Sequence, residues 1–295
     1  MTHRPLAAAL WMIGAIAAFT AMAIATRQIN GVHDTFEILA YRSMIGWVLV
    51  VTLAAAFHRL ADVRTDRLPS HVVRNVFHFT GQSLWFWAIT MIPLAQVFAL
   101  EFTSPIWVIL LSPIFLGERL TRRKLAAAAL GFAGVLIVAR PDFGRIEPGV
   151  LAAAAAAFFF ASTTLMTKLL TRGEPILSIL FWLTLMQAVF GILAMTVFGP
   201  VTLPTLATLP WLVLIGIAGL TAHLSLTTAL SLAPASTVVP VDFARLPIIA
   251  VVGAVFYDET VEATLFLGAA LIFAGIWITI RGGASRQQGP DVTKP

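Results

Sequence analysis

The sequence contains no cysteine. Disulfides, thiolate metal sites and cysteine nucleophiles are therefore excluded, although the absence does not reveal the compartment. Charged residues are also scarce, at 11% of the 295 residues, whereas a soluble domain carries roughly 25%. The chain has no His-Glu-x-x-His, Gly-x-Ser-x-Gly or Walker sequence. The usual motifs of metalloproteases, α/β-hydrolases and nucleotide-driven pumps are thus missing.

Apolar residues fill most of the chain. They account for 59% of it, and the mean hydropathy is +0.92. Each apolar stretch of about 20 residues is long enough to cross the hydrocarbon core of a bilayer. The pattern predicts an all-α membrane protein rather than a β-barrel, whose segments would alternate over about 10 residues. We expect ten transmembrane helices, at residues 5–25, 35–57, 71–90, 94–116, 124–139, 149–168, 175–198, 209–231, 236–257 and 262–281.

The net charge of +5 comes from bases that lie between the apolar spans and do not form one face. This distribution is typical of orientation signals in membrane proteins, so we expect a lipid bilayer and no nucleic acid as partner. The last segment, 282–295, is polar and rich in Gly and Pro. It is predicted to be a disordered cytoplasmic tail.

The sequence repeats itself at a distance of 141 residues. FLGERLTRRK at 115–124 returns as FYDETVEATL at 256–265, with the bases removed. The same shift places Glu101 on Asp242 and holds without a gap from about residue 12 to residue 134. Because the first span has a counterpart deep inside the chain, we expect it to be retained rather than cleaved as a signal peptide.

The repeat predicts two five-helix halves, 1–140 and 141–281. Five is odd, so the second half enters the membrane from the opposite side, as in transporters whose site lies between inverted repeats. Fourteen of the 19 bases, Arg74 among them, fall on the side of the N-terminus and three on the other side. The positive-inside rule therefore predicts that both termini are cytoplasmic, in the cell inner membrane.

The segment PIWVILLSPIFLGERLTRRKLAAAALGFAGVLIV at 105–138 combines a Pro in the fourth helix, a Leu-Gly-Glu-Arg-Leu-Thr turn and a helix of small residues. A copy at 246–278 keeps the acid of the turn but not the glycine before it. With ten helices in two halves, the chain resembles the drug/metabolite transporter superfamily, specifically its EamA-type members, over about residues 5–281.

The resemblance implies a transporter with a central cavity lined mainly by the third, fourth, eighth and ninth helices, with contributions from the first and sixth. It also implies a small-molecule substrate. The best expectation from it is export of an amino acid or an amino-acid-derived compound such as a metallophore. An integral membrane enzyme, a channel and a scaffold are the alternatives.

Predicted spans contain ionisable side chains, among them Glu101, Arg42, Asp242 and Arg245. The functional interpretation is the default there because charge within a membrane is costly. Glu101 and Arg42 lie at similar depths and form either a buried ion pair or part of a substrate or proton pathway. Asp242 and Arg245 share one face of the ninth helix at i, i+3, and the same two interpretations stay open. If functional, Asp242 and Glu101 serve the inner and outer halves of one pathway.

His78, Gln82 and Trp85 share a stripe of the third helix, and His223 lies in the eighth. Each His is either a packing residue or a proton-coupling group, since imidazole titrates near neutral pH. Gln82 is a ligand donor or an interhelical bond, and Trp85 is a site residue or an interfacial aromatic. Tyr41 in the second helix is a candidate cavity residue.

Prolines interrupt the backbone hydrogen bonding of the fourth and ninth helices, as static kinks, as hinges for alternating access, or as both. These are Pro105, Pro113, Pro240 and Pro247. Glu118 and Glu259 are expected to cap or tether loop ends. The sequence indicates no metal site and no cofactor, and it leaves coupling to protons and the oligomeric state open.

Overall fold

A computed structural model describes residues 4–29, 31–92, 97, 100–139, 147–257 and 263–284. Every regular element in those ranges is helical. The α-helices are α1 (Pro5–Gln28), α2 (Thr35–Ala56), α3 (Leu68–Met91), α4 (Ser104–Leu116), α5 (Arg122–Ala139), α6 (Pro148–Leu170), α7 (Ile176–Phe198), α8 (Leu209–Leu232), α9 (Ala235–Val238), α10 (Arg245–Tyr257) and α11 (Ala263–Ala284). Short 3-10 helices occupy Leu60–Asp62 and Val239–Ala244.

Five of the described helices, α1, α2, α6, α7 and α8, are long and apolar enough to cross a membrane. Helix α4 and residues 263–278 of α11 are apolar but shorter. Helix α3 has 24 residues, and several of its side chains are polar. The chain is therefore an all-α membrane protein with several apolar helices.

Local sequence explains how individual helices begin and end. At the start of α2, Asp34 Oδ1 accepts the N–H of Glu37 at 2.8 Å, and Glu37 Oε2 accepts the N–H of Asp34 at 3.0 Å. This reciprocal capping box satisfies two backbone donors that the helix leaves free. Helix α4 ends at Gly117, whose φ of +66° lies in the left-handed region that glycine adopts without strain. Eight of the ten predicted spans match helices to within a few residues.

The two remaining predicted spans, 94–116 and 236–257, are interrupted. Helix α4 begins after a turn at residues 102–103, and the later span is divided into α9, the 3-10 helix Val239–Ala244 and α10. Pro105 and Pro240 lie at these breaks, and a proline cannot donate the hydrogen bond that would continue an α-helix. The breaks fall at positions 141 residues apart.

Four helix pairs make the most extensive contacts, and each pair joins one helix from residues 1–140 to one from residues 141–281. They are α1 with α8, α3 with α6, α2 with α7, and α5 with α11. In the last pair, a Cβ on Gly134 would lie 2.5 Å from the Gly268 carbonyl oxygen, and a Cβ on Gly275 would lie 2.6 Å from that of Ala127. Glycine thus permits the close approach of α5 and α11, as in other membrane helix pairs.

The terminal predictions fall partly outside the described residues. Helix α11 continues to Ala284, three residues into the segment that composition predicts to be a disordered tail. Residues 285–295 and Glu259 lie outside the described part of the chain.

Candidate functional site

The carboxylate–arginine cluster consists of Glu101, Asp242 and Arg245. Arg245 Nη2 donates to Glu101 Oε1 at 2.8 Å and to Asp242 Oδ2 at 3.0 Å. Asp242 lies in the 3-10 helix and Arg245 is the first residue of α10, so the helix break places both beside Glu101. The side chains of Arg245, Glu101 and Asp242 are 14%, 13% and 21% exposed. With both acids ionised, the cluster carries one net negative charge.

Aromatic side chains enclose this cluster. Trp85 Nε1 donates to Glu101 Oε2 at 2.8 Å, which gives Trp85 a polar partner inside the bundle. The guanidinium carbon of Arg245 lies 5.3 Å from the ring centroids of Phe19 and Phe102, a distance at which cation–π attraction operates. Asp242 Oδ1 and Arg245 Nε are buried without a hydrogen-bond partner. The cluster therefore keeps one acceptor and one donor for a water, a proton or a ligand.

The structure distinguishes between the possible ion pairs. Asp242 and Arg245 form the i, i+3 pair, while Glu101 pairs with Arg245 and not with Arg42. Arg42 Nη1 instead approaches Met22 Sδ at 3.5 Å, and a thioether is a weak acceptor. No carboxylate in the described part of the chain forms an ion pair with Arg42.

His78 and His223, which the sequence assigns to different helices, meet in the interior. Their ring centroids lie 5.1 Å apart with the planes at 85°, and the residues are 6% and 7% exposed. Both ring nitrogens of His78 and the Oε1 of Gln82 are buried without a hydrogen-bond partner. Phe160 also lies near His78, with ring centroids 6.3 Å apart. These polar atoms lack the partners that a purely packing role would provide.

Arg74, which the charge count assigns to the cytoplasmic side, is in fact buried within α3 at 2% exposure. Its Nε donates to Thr167 Oγ1 at 3.0 Å and its Nη1 donates to Asn75 Oδ1 at 3.2 Å. Gln187 Nε2 also donates to Asn75 Oδ1, at 3.2 Å. The sequence itself indicates such a network. Arg74 falls inside the predicted span 71–90, where a charged side chain is costly and needs polar partners.

A small cavity adjoins Arg42 and His223 between α2, α7 and α8. Its volume is about 20 Å³, enough for roughly one water molecule. Ser43, Thr184 and Gln187 contribute further polar groups to its wall. The cavity thus combines a guanidinium, an imidazole, hydroxyls and an amide in an otherwise apolar bundle.

Tyr41 takes a position different from the expected cavity wall. Its hydroxyl donates to the carbonyl oxygen of Thr202 at 2.7 Å, in the loop between α7 and α8. His33 reaches the same loop, with Nε2 3.1 Å from Thr208 Oγ1. Both side chains therefore anchor the loop to α2 and its N-terminal approach.

The four candidate hinge prolines occupy three kinds of position. Pro105 and Pro247 lie in the first turns of α4 and α10, where a missing N–H leaves no intrahelical bond unmade. Pro240 lies in the 3-10 helix, and Pro113 lies inside α4. Ser112 Oγ donates to the Ile109 carbonyl oxygen at 3.0 Å, the oxygen that Pro113 leaves without its usual i+4 donor.

Charged side chains tie helix ends together at the opposite end of the bundle from Tyr41. Glu118 accepts the backbone N–H groups of Ala235 at 2.8 Å and Ser236 at 3.2 Å, and so caps α9 as expected. Lys168 Nζ donates to the Ala233 carbonyl oxygen at 2.8 Å, beyond the end of α8. Arg172 Nη2 donates to the Leu116 carbonyl oxygen at 2.6 Å.

Comparison with known protein families gives a match over nearly the whole chain. The model of the EamA-like transporter family matches residues 6–140 and again residues 147–281. The chain belongs to the EamA-like transporter family. The predicted family resemblance is thereby confirmed, and the protein is a transporter, not an enzyme.

Curated relatives of this transporter are named for small metabolites. It is 31% identical over 289 residues to a riboflavin transporter of Rhizobium johnstonii, covering 97% of this chain and 95% of that protein. A riboflavin transporter of Vibrio cholerae is 29% identical over 93% of each chain. An S-adenosylmethionine uptake transporter of Rickettsia bellii is 22% identical over 89% of each. These relatives support a small-molecule substrate and a membrane environment for this transporter.

A solved crystal structure has the same fold. It superposes with a TM-score of 0.81, covering 96% of this transporter and 99% of that chain, at 22% sequence identity. The similarity therefore extends over the whole helical assembly and is evidence for the fold alone.

Proposed function

We propose that this protein is a secondary transporter that takes up riboflavin or a closely related aromatic metabolite by alternating access. The observation that carries the proposal is the 31% identity, over 97% of the chain, to a protein named as a riboflavin transporter. The S-adenosylmethionine transporters are less similar, at 22% in the Rickettsia bellii protein. Riboflavin is accordingly the first substrate to test.

The interior chemistry supports a planar, hydrogen-bonding substrate. Riboflavin has an aromatic ring system with carbonyl and N–H groups at one edge and a chain of hydroxyls. His78, His223 and Phe160 offer ring faces and edges, and Gln82 offers an unused amide oxygen. Aromatic walls with a few convergent polar groups are typical of small-molecule sites.

The amino-acid exporter expected from the sequence is a weaker proposal. It rests on acids and bases that would bind a zwitterion, but in the structure Glu101, Asp242 and Arg245 bind one another. The named relatives include uptake transporters, which favours import. Export of an amino acid or a metallophore therefore becomes the competing outcome of the transport assay.

Ten spans in two inverted halves are part of the same proposal. The family model matches twice, at 6–140 and 147–281, which repeats the 141-residue shift of the sequence. A two-fold exchange of the halves would turn the pair α1–α8 into α6–α3 and would leave α2–α7 and α5–α11 as pairs. The excess of bases on one side supports cytoplasmic termini in the inner membrane.

The helix breaks and the net charge of the carboxylate–arginine cluster suggest how transport is driven. Discontinuous helices accompany substrate and ion sites in many transporters. Pro105 and Pro240 at the breaks, and Pro113 and Pro247 within the following helices, provide candidate hinges. Glu101 and Asp242 share one guanidinium, so a proton on either acid would neutralise the cluster. Coupling to protons follows as a proposal.

The test is flavin transport by the purified full chain in sealed vesicles, with and without a pH gradient, beside a panel of amino acids. We expect saturable riboflavin counterflow that protein-free vesicles lack, accelerated by an inward proton gradient. Growth of a bacterial riboflavin auxotroph on low external riboflavin should require expression of the chain. Amino-acid counterflow without flavin counterflow would overturn the substrate proposal.

A further inference from the structure

Two arginines, Arg42 and Arg74, are buried in the bundle, and no carboxylate among the described residues pairs with them. Arg42 is 9% exposed and Arg74 is 2% exposed. Neither forms an ion pair with any acid in the part of the chain that the structure describes. Arginines within membrane helices are costly and usually pair with an acid or mark a substrate pathway. Arg245, by contrast, forms ion pairs with two acids, Glu101 and Asp242.

The two arginines differ in how much hydrogen-bonding capacity they retain. Arg74 is bound by Thr167 and Asn75. Arg42 has one weak sulfur acceptor, Met22, at 3.5 Å, although a guanidinium carries five N–H donors. Arg42 also lines the cavity that His223 borders. Arg42 thus borders a polar cavity, and among the described residues only this sulfur accepts a hydrogen bond from its guanidinium.

The histidine pair places further unused polar atoms near this cavity. His223 borders the cavity, His78 lies against His223 with ring centroids 5.1 Å apart, and both ring nitrogens of His78 are buried without a hydrogen-bond partner. Arg74 lies one turn before His78 on α3 and is not among the residues that line the cavity.

We infer that Arg42, with His223 and His78, forms a binding site for an anionic group, a phosphate or a carboxylate, on the transported molecule. Arg42 binds the group directly, through charge-assisted hydrogen bonds into the cavity. Arg74 donates to Thr167 and so holds α3 against α6, outside this site. The inference rests on the proposed transport function and predicts that, among its substrates, metabolites that bear a negative charge are preferred.

The cavity of about 20 Å³ is too small for a phosphate group together with a flavin, since it holds roughly one water. Entry of the ligand requires α2 and α8 to separate. A Cβ on Gly219 of α8 would lie 3.3 Å from Arg42 Cδ, so the Arg42 stem now fills the contact between these helices. We therefore expect the Arg42 side chain to move away from Gly219 when an anion binds.

The test measures binding to the detergent-solubilised full chain, which does not depend on transport. Inorganic phosphate alone should raise the thermal unfolding midpoint, compared with a bulky sulfonate at equal ionic strength. Riboflavin 5′-phosphate should bind about tenfold or more tightly than riboflavin, as expected for a charge-assisted contact. Arg42→Gln should remove both effects and Arg42→Lys should retain part of them. Arg59→Gln, which changes an exposed arginine paired with Asp62, is the matched control.

The outcomes separate this inference from the transport proposal. Phosphate stabilisation that needs Arg42, in a protein that moves no riboflavin, upholds the anion site and refutes riboflavin as the substrate. If riboflavin and its phosphate bind equally to the wild-type chain, the anion site is wrong, whatever is transported. The anion site is also wrong if the Arg42→Gln variant still binds riboflavin 5′-phosphate more tightly than riboflavin. Should Arg42→Gln fail to fold, the wild-type comparison and Arg42→Lys still decide. Free phosphate is added as a competitor of riboflavin 5′-phosphate. If it displaces the phosphorylated flavin, the site binds a charge on the substrate itself; if it binds together with riboflavin, the anion is a separate, co-transported ligand.

Discussion

At the scale of single residues, Arg245 is bound by two carboxylates that occupy matching positions 141 residues apart, Glu101 and Asp242. Burying three charges is favourable only when the geometry is good and the remaining hydrogen bonds are made. Here one guanidinium cannot neutralise both acids, and Asp242 Oδ1 has no partner. The cluster is therefore a better candidate for a titrating or switching element than for a purely structural ion pair.

We predict that Glu101→Gln and Asp242→Asn each lower transport by about tenfold or more, which corresponds to about 1.4 kcal/mol. Each change removes the acid whose protonation would drive the cycle, while the amide can still accept a hydrogen bond from Arg245. Vesicle counterflow measures the effect, and membrane content of the variant measures insertion. Asp62→Asn, at an exposed pair with Arg59 whose side chains are 44% and 62% exposed, should change neither. Unimpaired counterflow in both variants would exclude the two acids from the mechanism.

The sequence supplied part of this site. The 141-residue shift related Glu101 to Asp242, and the i, i+3 spacing linked Asp242 to Arg245. The bond from Glu101 to Arg245 spans 144 residues, and no local pattern encodes such a distance. The charge count places Arg74 outside the membrane because it lies near the N-terminal end of its predicted span. Its burial depends on Thr167, which α6 brings against α3.

At the scale of elements, α4 contains a compensated defect. Pro113 has no N–H for the Ile109 carbonyl oxygen, and the hydroxyl of Ser112, which is 0% exposed, donates to it instead at 3.0 Å. Side-chain hydroxyls often satisfy the carbonyls that a proline leaves free in a membrane helix. Ser112 therefore lets α4 keep a proline without an unpaired carbonyl.

We predict that Ser112→Ala destabilises the protein by about 1–2 kcal/mol, the cost of leaving a buried polar group unpaired. In a Pro113→Ala background the restored N–H can bond to Ile109, so the same change should cost less than about 0.5 kcal/mol. Thermal unfolding of the four members of this double-mutant cycle gives the coupling. Equal costs in both backgrounds would contradict the compensation.

Element boundaries were largely predictable, whereas the helix breaks were not. Apolar length and flanking Pro or Gly located α1 and α8 to within a few residues. The prolines marked the fourth and ninth predicted spans as irregular, but they did not tell a kinked helix from a turn. The turn at 102–103 and the 3-10 helix Val239–Ala244 depend on tertiary contacts, among them the packing of Phe102 and Phe243 in one buried cluster.

At the scale of the whole molecule, the proposed inverted arrangement makes a geometric prediction about two loop positions. Thr65 and Leu206 are related by the 141-residue shift and are both exposed, Leu206 at 92%. If the halves are inverted, these positions lie on opposite sides of the membrane. A reagent that cannot cross the membrane would then reach one of these two positions from outside the cell and not the other.

We predict that an impermeant maleimide labels Leu206→Cys in intact cells and labels Thr65→Cys only after permeabilisation. The chain has no cysteine of its own, so each variant carries one reactive thiol and the unmodified protein is the blank. Labelling of both positions from the same side would mean that the halves run parallel and that the span count is wrong.

The partnering of helices across the halves has a consequence for biosynthesis. Since α1, α2, α3 and α5 each have their main partner beyond residue 140, the first half leaves the ribosome before any of those partners exist. Until those partners are synthesised, the arginines and histidines of the first half lie in lipid or beside the insertion machinery without their final neighbours. Assembly is therefore late and concerted. Two separately synthesised halves would be expected to reconstitute each other, whereas either one alone would be degraded.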